Sequence, residues 1–255
     1  MSKSRAFMIH LSASAIIVGI VCILIFFVWY PQPYFDIVGA GSVLKILIGV
    51  DLIVGPLLTL FLYKPNKPNL KFDLSVIVVI QLIALIYGTT IIYQERPYYV
   101  VFAIDRFEVV GKTEIDPNDI RYDALRKKPL IGPMLVVALF PDSEQERQEL
   151  LNDVLSGKPD LERRPEYWDV YAKHSASVIE RGIPLTKMAD KRPDAREKIE
   201  AFIQSQAHSD EMVGVPIMGK KGAFYFVLNS TTRRPLGILN IDPWEPSVPT
   251  TNSID

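Results

Sequence analysis

Residues 43–63 read VLKILIGVDLIVGPLLTLFLY, a 21-residue apolar run interrupted by Lys45 and Asp51. Two similar runs flank it. Residues 6–30 read AFMIHLSASAIIVGIVCILIFFVWY, with His10, Cys22 and Tyr30 as the ionisable side chains. Residues 74–93 read LSVIVVIQLIALIYGTTIIY, 20 residues without Asp, Glu, Lys or Arg. Each run reaches the roughly 20 apolar residues that cross a hydrocarbon core about 30 Å thick. The alternative, buried helices of a water-soluble protein, would require three charge-poor helices in succession. The chain therefore reads as three transmembrane helices, about 6–30, 43–63 and 74–93. The first far exceeds the roughly 7–15 apolar residues of a secretory signal core. It ends in VWYPQPYF (28–35) with no A-x-A-like cleavage site, so it is expected to stay attached as an anchor.

Basic residues in short loops set the orientation. Lys3 and Arg5 precede the first run, Lys64, Lys67 and Lys71 lie between the second and third, and 31–42 has neither Lys nor Arg. The N-terminus and the 64–73 loop are expected in the cytoplasm, and everything after Tyr93 on the far side. Trp29, Tyr30, Tyr34, Tyr93, Tyr98 and Tyr99 are then expected to form an aromatic belt at the outer interface.

The whole chain has 255 residues, 28 Lys+Arg against 29 Asp+Glu, and one Cys. That balance argues against a nucleic-acid binder, which carries a basic excess. One Cys excludes an internal disulfide and a CxxC pair. Residues 97–246 are long enough for a domain with its own core. Tyr99–Ile104 continuing through Phe107 to Val110 reads as one strand, and Leu135–Phe140 as a second. Ser143-Glu144-Gln145-Glu146 spells a capping box that opens a helix, with Leu150, Leu151, Val154 and Leu155 as its apolar face. Pro165–Arg181 and Pro193–Gln206 read as further helices. Ala223–Leu228 and Leu236–Ile241 read as a hairpin. The fold class is α+β: three N-terminal transmembrane helices, then a domain with an antiparallel sheet and several helices. Residues 247–255 are expected to be a flexible tail.

No phosphate loop, zinc helix, nucleophile elbow or EF-hand spelling is present. His10, His174 and His208 are too scattered for one site. Asp105, Asp116, Asp119 and Asp123 match no cation loop and read as turn residues, and Asn229-Ser230-Thr231 spells a sequon that matters only in a eukaryotic secretory route. No enzyme, metal or cofactor is indicated.

The most informative charge is Asp51. A carboxylate at that depth costs several kcal/mol unless it is protonated, paired or facing protein. Gly55 and Pro56 follow one turn later, where proline removes an amide donor. Asp51, Gly55 and Thr59 recur every four residues as one small, polar stripe. Gln81, Ala84 and Gly88 form a similar stripe on the third helix, with Tyr87 beside it. Counted from Tyr63 and Leu74, Asp51 and Tyr87 lie at similar depth, about 18–20 Å up, which predicts an Asp51–Tyr87 hydrogen bond. Gln81 would then need another partner, Ser12 or Ser14. The stripe reads either as internal glue or as a docking face for another protein's membrane helix, with transport a third reading resting on Asp51 alone.

The chain resembles the type IV pilin accessory proteins of the TfpX/TfpZ family, bacterial inner-membrane proteins found with pilin genes. The resemblance rests on Phe27-Val28-Trp29-Tyr30-Pro31, on residues 49–60 (GVDLIVGPLLTL), on Leu85-Ile86-Tyr87-Gly88, on residues 101–107 (VFAIDRF) and on Ile241-Asp242-Pro243-Trp244. It implies a non-enzymatic role in pilin stability or pilus assembly, a periplasmic C-terminal domain, and the type IV pilin subunit as partner beside the lipid bilayer. A homo-oligomer is left open. The rival expectation is a membrane-anchored periplasmic sensor or ligand-binding protein.

Overall fold

A computed structural model describes residues 2–65, 67–206 and 211–245. The chain divides into two compact units, residues 1–96 with 130–132, and residues 97–129 with 133–255. His208 and the expected tail lie outside the described residues.

In the first unit, α1 (Lys3–Leu24) opens with the Ser2 hydroxyl accepting from the Arg5 N–H at 3.3 Å. It runs into a π-helical turn, Ile25–Trp29, closed by the Tyr30 N–H donating to Ile25 O at 2.7 Å, just before Pro31. After the short α2 (Tyr34–Val38), the second span is built from α3 (Gly41–Gly49), a second π-helical turn (Val50–Val54) and α4 (Gly55–Leu62). The third span is α5 (Leu70–Gln94). The three spans Lys3–Trp29, Gly41–Leu62 and Leu70–Gln94 are long and apolar enough to cross a membrane. Their outward faces carry Phe27, Ile46, Phe61 and Ile83, all well exposed, as a surface meant for lipid requires.

Two expectations change here. The third helix starts at Leu70, four residues before the apolar run, because a charged first turn still makes helical hydrogen bonds. Asp73 sits in that turn, favoured at a helix N-terminus, with Lys67 Nζ 2.6 Å away. The belt is also smaller than expected: Tyr30, Tyr34 and Tyr99 are buried. The Tyr30 hydroxyl donates to Ile92 O at 2.7 Å, tying the first span to the third. Trp29 meets Tyr93 edge-on at 5.0 Å, and the Arg96 guanidinium covers the Tyr93 ring at 3.6 Å.

The second unit contains, in chain order, β1 (Pro97–Ala103), β2 (Arg106–Gly111), α6 (Asp123–Arg126), β3 (Met134–Ala138), α7 (Glu144–Leu155), β4 (Trp168–Val170), α8 (Tyr171–Glu180), β5 (Ile183–Pro184), α9 (Leu185–Lys191), α10 (Arg196–Gln204), β6 (Met212–Gly219), β7 (Gly222–Asn229) and β8 (Pro235–Leu239). One sheet runs β4-β3-β1-β2-β6-β7-β8, with β5 also pairing β6. The unit is α+β, as its pattern of strands and helices predicts. Its sheet is mixed, where an antiparallel one was expected: β1 pairs β3 and β2 pairs β6 in parallel, and the other described pairings are antiparallel. The long connection from β2 returns β3 to the far side of β1, so the two strands point the same way. β1 is buried along nearly its whole length, which explains its unbroken apolar spelling.

The expected single strand 99–110 is a tight hairpin. Ala103 pairs Arg106, and the Asp105 N–H donates to Ala103 O at 2.7 Å around Ile104. Ile104 has φ +59°, an unusual conformation for a β-branched residue. Pro165–Arg181 likewise splits: Trp168–Val170 pairs with β3 before α8 begins at Tyr171. On α7, the Ser143 hydroxyl accepts from the Glu146 N–H at 3.1 Å, but only Leu150 of the expected apolar face is buried, while Leu151 and Leu155 are exposed.

Two apolar clusters form much of the core described in this unit. One joins β1, β3 and β4 through Tyr99, Val101, Val136 and Trp168 to Leu150 of α7. The other joins Tyr225, Val227 and Leu239 to Met188 of α9 and Ile199 of α10. Arg163 bridges Glu108 on β2 at 3.0 Å and Glu114 at 3.1 Å and also pairs with Glu162. Burial pushes the Glu162 carboxyl up, against the pull of Arg163.

Candidate functional site in the membrane bundle

Pro56 decides the local geometry of the second span. Lacking an N–H, it cannot close an ordinary helical bond to Leu52 O, and its ring crowds that carbonyl. The helix responds with the π-helical turn Val50–Val54, in which the Gly55 N–H donates to Val50 O rather than to Asp51 O. The Asp51 carbonyl is thereby released. Gln81 of α5 occupies the gap: its Nε2 lies 3.4 Å from Asp51 O and 3.3 Å from Asp51 Oδ1. One amide thus serves both a freed backbone carbonyl and a membrane-buried carboxylate, which repairs the break that proline creates.

Gly55 makes this contact sterically possible. A Cβ at position 55 would fall 1.9 Å from Gln81 Nε2 and 2.3 Å from its Cδ. Thr59, buried one turn further on, has its Oγ1 2.6 Å from His10 Nδ1 on the first span. Gly88 of α5 packs against Leu47, where an added Cβ would meet Cδ1 at 3.3 Å. The structure thus brings Asp51, Gly55, Pro56, Thr59 and Gln81 into one seam, with Gly88 closing the third span on the second nearer the C-terminal end of α5.

Tyr87 does not belong to it. Its side chain is 69% exposed on the outer face of α5, and Gln81 stands where the Asp51–Tyr87 hydrogen bond was expected. The depth count failed because it began at Leu74. Counted from the true helix ends, Asp51 is 11 residues from Leu62 and Gln81 is 11 from Leu70. The residue missed from the sequence is His10. Counting does not expose it, since His10 lies seven residues from Lys3 and Thr59 three from Leu62.

The seam is not fully satisfied. Asp51 Oδ2 and Gln81 Oε1 are buried and have no hydrogen-bond partner among the described residues. Both side chains, with His10 and Ser14, line a cavity of about 110 Å³ whose remaining walls are apolar. Chemically, the arrangement offers two acceptor oxygens inside an apolar setting.

In the second unit, no group of three or more His, Cys, Asp or Glu side chains is placed to hold a metal ion among the described residues. Asp116 accepts from the Asn118 N–H, and Asp105 and Asp123 pair with Arg106 and Arg126. The Asn229 side chain is buried and accepts from the Thr231 and Thr232 N–H groups, organising its loop. His174 Nε2 lies 3.0 Å from Asp169 Oδ2, and Lys173 donates to Oδ1 at 2.9 Å. Desolvation favours the neutral Asp169 carboxyl, but hydrogen bonds from His174, Lys173 and the Val170 N–H outweigh it and hold the group at about 2. Since that lies below the unfolded value of 3.8, the stability Asp169 contributes is present above 3.8 and is lost as pH falls through about 2. Asp169→Asn is therefore expected to lower the full-length protein's unfolding temperature at neutral pH, with the gap to wild type closing as pH drops toward 2. Parallel pH profiles for the two proteins would contradict this.

The family of the fimbrial assembly protein FimB matches residues 1–39. A fimbrial assembly protein of serogroup I from Dichelobacter nodosus is 30% identical over 246 residues, covering 94% of this chain and 93% of its own length. The serogroup E1 protein of the same organism is 29% identical over 244 residues, covering 93% and 94%. A third, from serogroups C1 and C2, is 43% identical over 112 residues, 43% of this chain and 82% of that protein. No solved structure matches the chain. The similarity to the serogroup I protein covers nearly the whole chain, and the chain belongs to the family of fimbrial assembly proteins.

Proposed function

We propose that this chain is a non-enzymatic inner-membrane accessory protein of type IV pilus biogenesis. On this reading it assists pilin stability or assembly by contacting the pilin's membrane helix through its bundle and the pilin head through its C-terminal domain. The observation that carries the reading is the relation, over 94% of the chain, to a protein named for fimbrial assembly. The basic residues of the 64–73 loop support a cytoplasmic N-terminus and a periplasmic C-terminal domain. For the head contact, support comes from an apolar surface on the second unit. Ile104, Leu139 and Phe140 are exposed there and line a cleft of about 460 Å³ with Phe102 and Val137, edged by Ser177 and Arg181. Ile104 also holds its strained φ of +59° at that surface, and strain of this kind gathers at binding sites.

The test is deletion of the gene with complementation, reading surface pili and steady-state pilin. Loss of pili or of pilin, restored by the wild-type chain, is the expected result. Unchanged piliation and pilin would remove the pilus role and bring the sensor reading forward, to be examined by ligand-induced thermal shifts of the full-length protein.

A further inference from the structure

The first and third spans both pack on the second, and a cleft opens between them. Its deep part is the 110 Å³ cavity, walled by Ala13, Ile17, Leu82 and Leu85 and floored by Asp51 and Gln81. At Leu85 it meets a second cavity of about 350 Å³, which reaches Thr89 and Tyr93 on the third span and Val21 and Trp29 on the first. From Gln81 to Tyr93 is 12 residues, or about 18 Å along the helix. Ile17 and Leu82 are 42% and 43% exposed, so the cleft is open on its lipid side.

Asp51 and Gln81 are only 5% and 8% exposed, yet Asp51 Oδ2 and Gln81 Oε1 accept nothing among the described residues. In hydrocarbon each unmet acceptor carries a penalty that water cannot relieve. Apolar cavities of about 150 Å³ accept benzene-sized groups, so the deep part has room for about one side chain. A lipid acyl chain would fill the space but bring no donor.

We propose that this cleft seats a partner's membrane helix, which places a hydrogen-bond donor against Asp51 Oδ2 and Gln81 Oε1. The inference rests on the reading above that the chain engages the pilin's membrane helix. It moves the docking site from the Asp51/Gly55/Thr59 stripe, whose small residues are consumed in internal packing, to the open side of the same carboxylate. A second copy of this chain, bringing Ser12, and lipid are the competing occupants.

The experiment is photocrosslinking in native membranes, using the full-length chain. The probe replaces Leu82 or Leu85 in the cleft, and Ile83 or Tyr87 on the opposite face of the same helix. Adducts to the pilin's membrane helix from 82 and 85, absent from 83 and 87, are expected. Asp51→Asn keeps an acceptor for Gln81 but turns an NH₂ toward the occupant, and is expected to lower the position-85 yield roughly fivefold at equal protein level. Leu82→Trp narrows the cleft without touching the polar pair and is expected to lower it similarly. Adducts to a second copy alone, to lipid alone, or to pilin equally from both faces would overturn the assignment. If deletion abolishes pili while the cleft captures no pilin, the cleft fails and the pilus role stands. Unchanged pili on deletion would overturn the pilus role itself, whatever the adducts.

Discussion

Gly55→Leu is expected to break the lock between the second and third spans and to lower the amount of protein in the membrane severalfold. The leucine Cβ alone would overlap the Gln81 amide, which stands 1.9 Å from that position. Gln81 would have to swing away, giving up both bonds to Asp51 and leaving the carbonyl that the π-helical turn released without a donor. Overpacking costs about 1–3 kcal/mol, and an interhelical hydrogen bond in a membrane about 0.6–1.7 kcal/mol, so the total is about 2–5 kcal/mol. Losses of that size change cellular abundance several-fold. The interaction is separable, because Gly55→Ala should cost less in a Gln81→Ala background, where the space is empty. Reversible unfolding of the four proteins in mixed micelles measures the coupling. Strictly additive costs would mean that Gly55 and Gln81 do not share the contact.

Trp168→Ala carries the largest expected cost in the second unit. Trp168 is fully buried on the short edge strand β4, with its ring 4.7 Å from that of Tyr99. Removing a buried tryptophan costs about 3–5 kcal/mol. For a domain of this size that is a fall of roughly 6–20 °C in unfolding temperature. The damage should also reach the neighbouring Asp169–His174 pair, since Ala138 and Trp168 are partners in the β3–β4 ladder. Trp168 Nε1 has no hydrogen-bond partner among the described residues. Trp168→Phe therefore gives up no bond and, keeping a ring in the site, should cost clearly less than the alanine change. Thermal unfolding of the full-length protein followed by near-UV circular dichroism separates the two. An alanine variant as stable as the phenylalanine one would contradict the packing described.

The three membrane spans were legible because length and apolarity are set by bilayer thickness, which leaves few alternatives. Their ends were not, since helical hydrogen bonds continue through the charged turn at Leu70–Asp73 after the apolar run has stopped. That offset misplaced Gln81 and promoted Tyr87. The seam itself was partly legible: Asp51, Gly55 and Thr59 stood out by spacing, whereas His10 is a single side chain without a local motif. In the second unit the β7–β8 hairpin was readable from its two apolar runs, but β6 was not. Its sequence, MVGVPIMG, carries two glycines and a proline, which argue against a strand. Pro216 is tolerated because that edge of β6 is shared, with β5 pairing Val213 and Gly214 and β2 pairing Ile217 and Met218. The missing amide falls between the two ladders. The β1–β2 turn was hidden for the opposite reason, since Ile104 takes a positive φ that turn chemistry assigns to Gly, Asn or Asp.

The most direct test of a pilin-directed role is recovery of pilin with the tagged full-length chain from native membranes in mild detergent. Wild type should retain pilin, and Gly55→Leu, normalised for its lower amount, should retain much less. Intact wild-type protein recovered without pilin, from cells that contain it, would contradict the role.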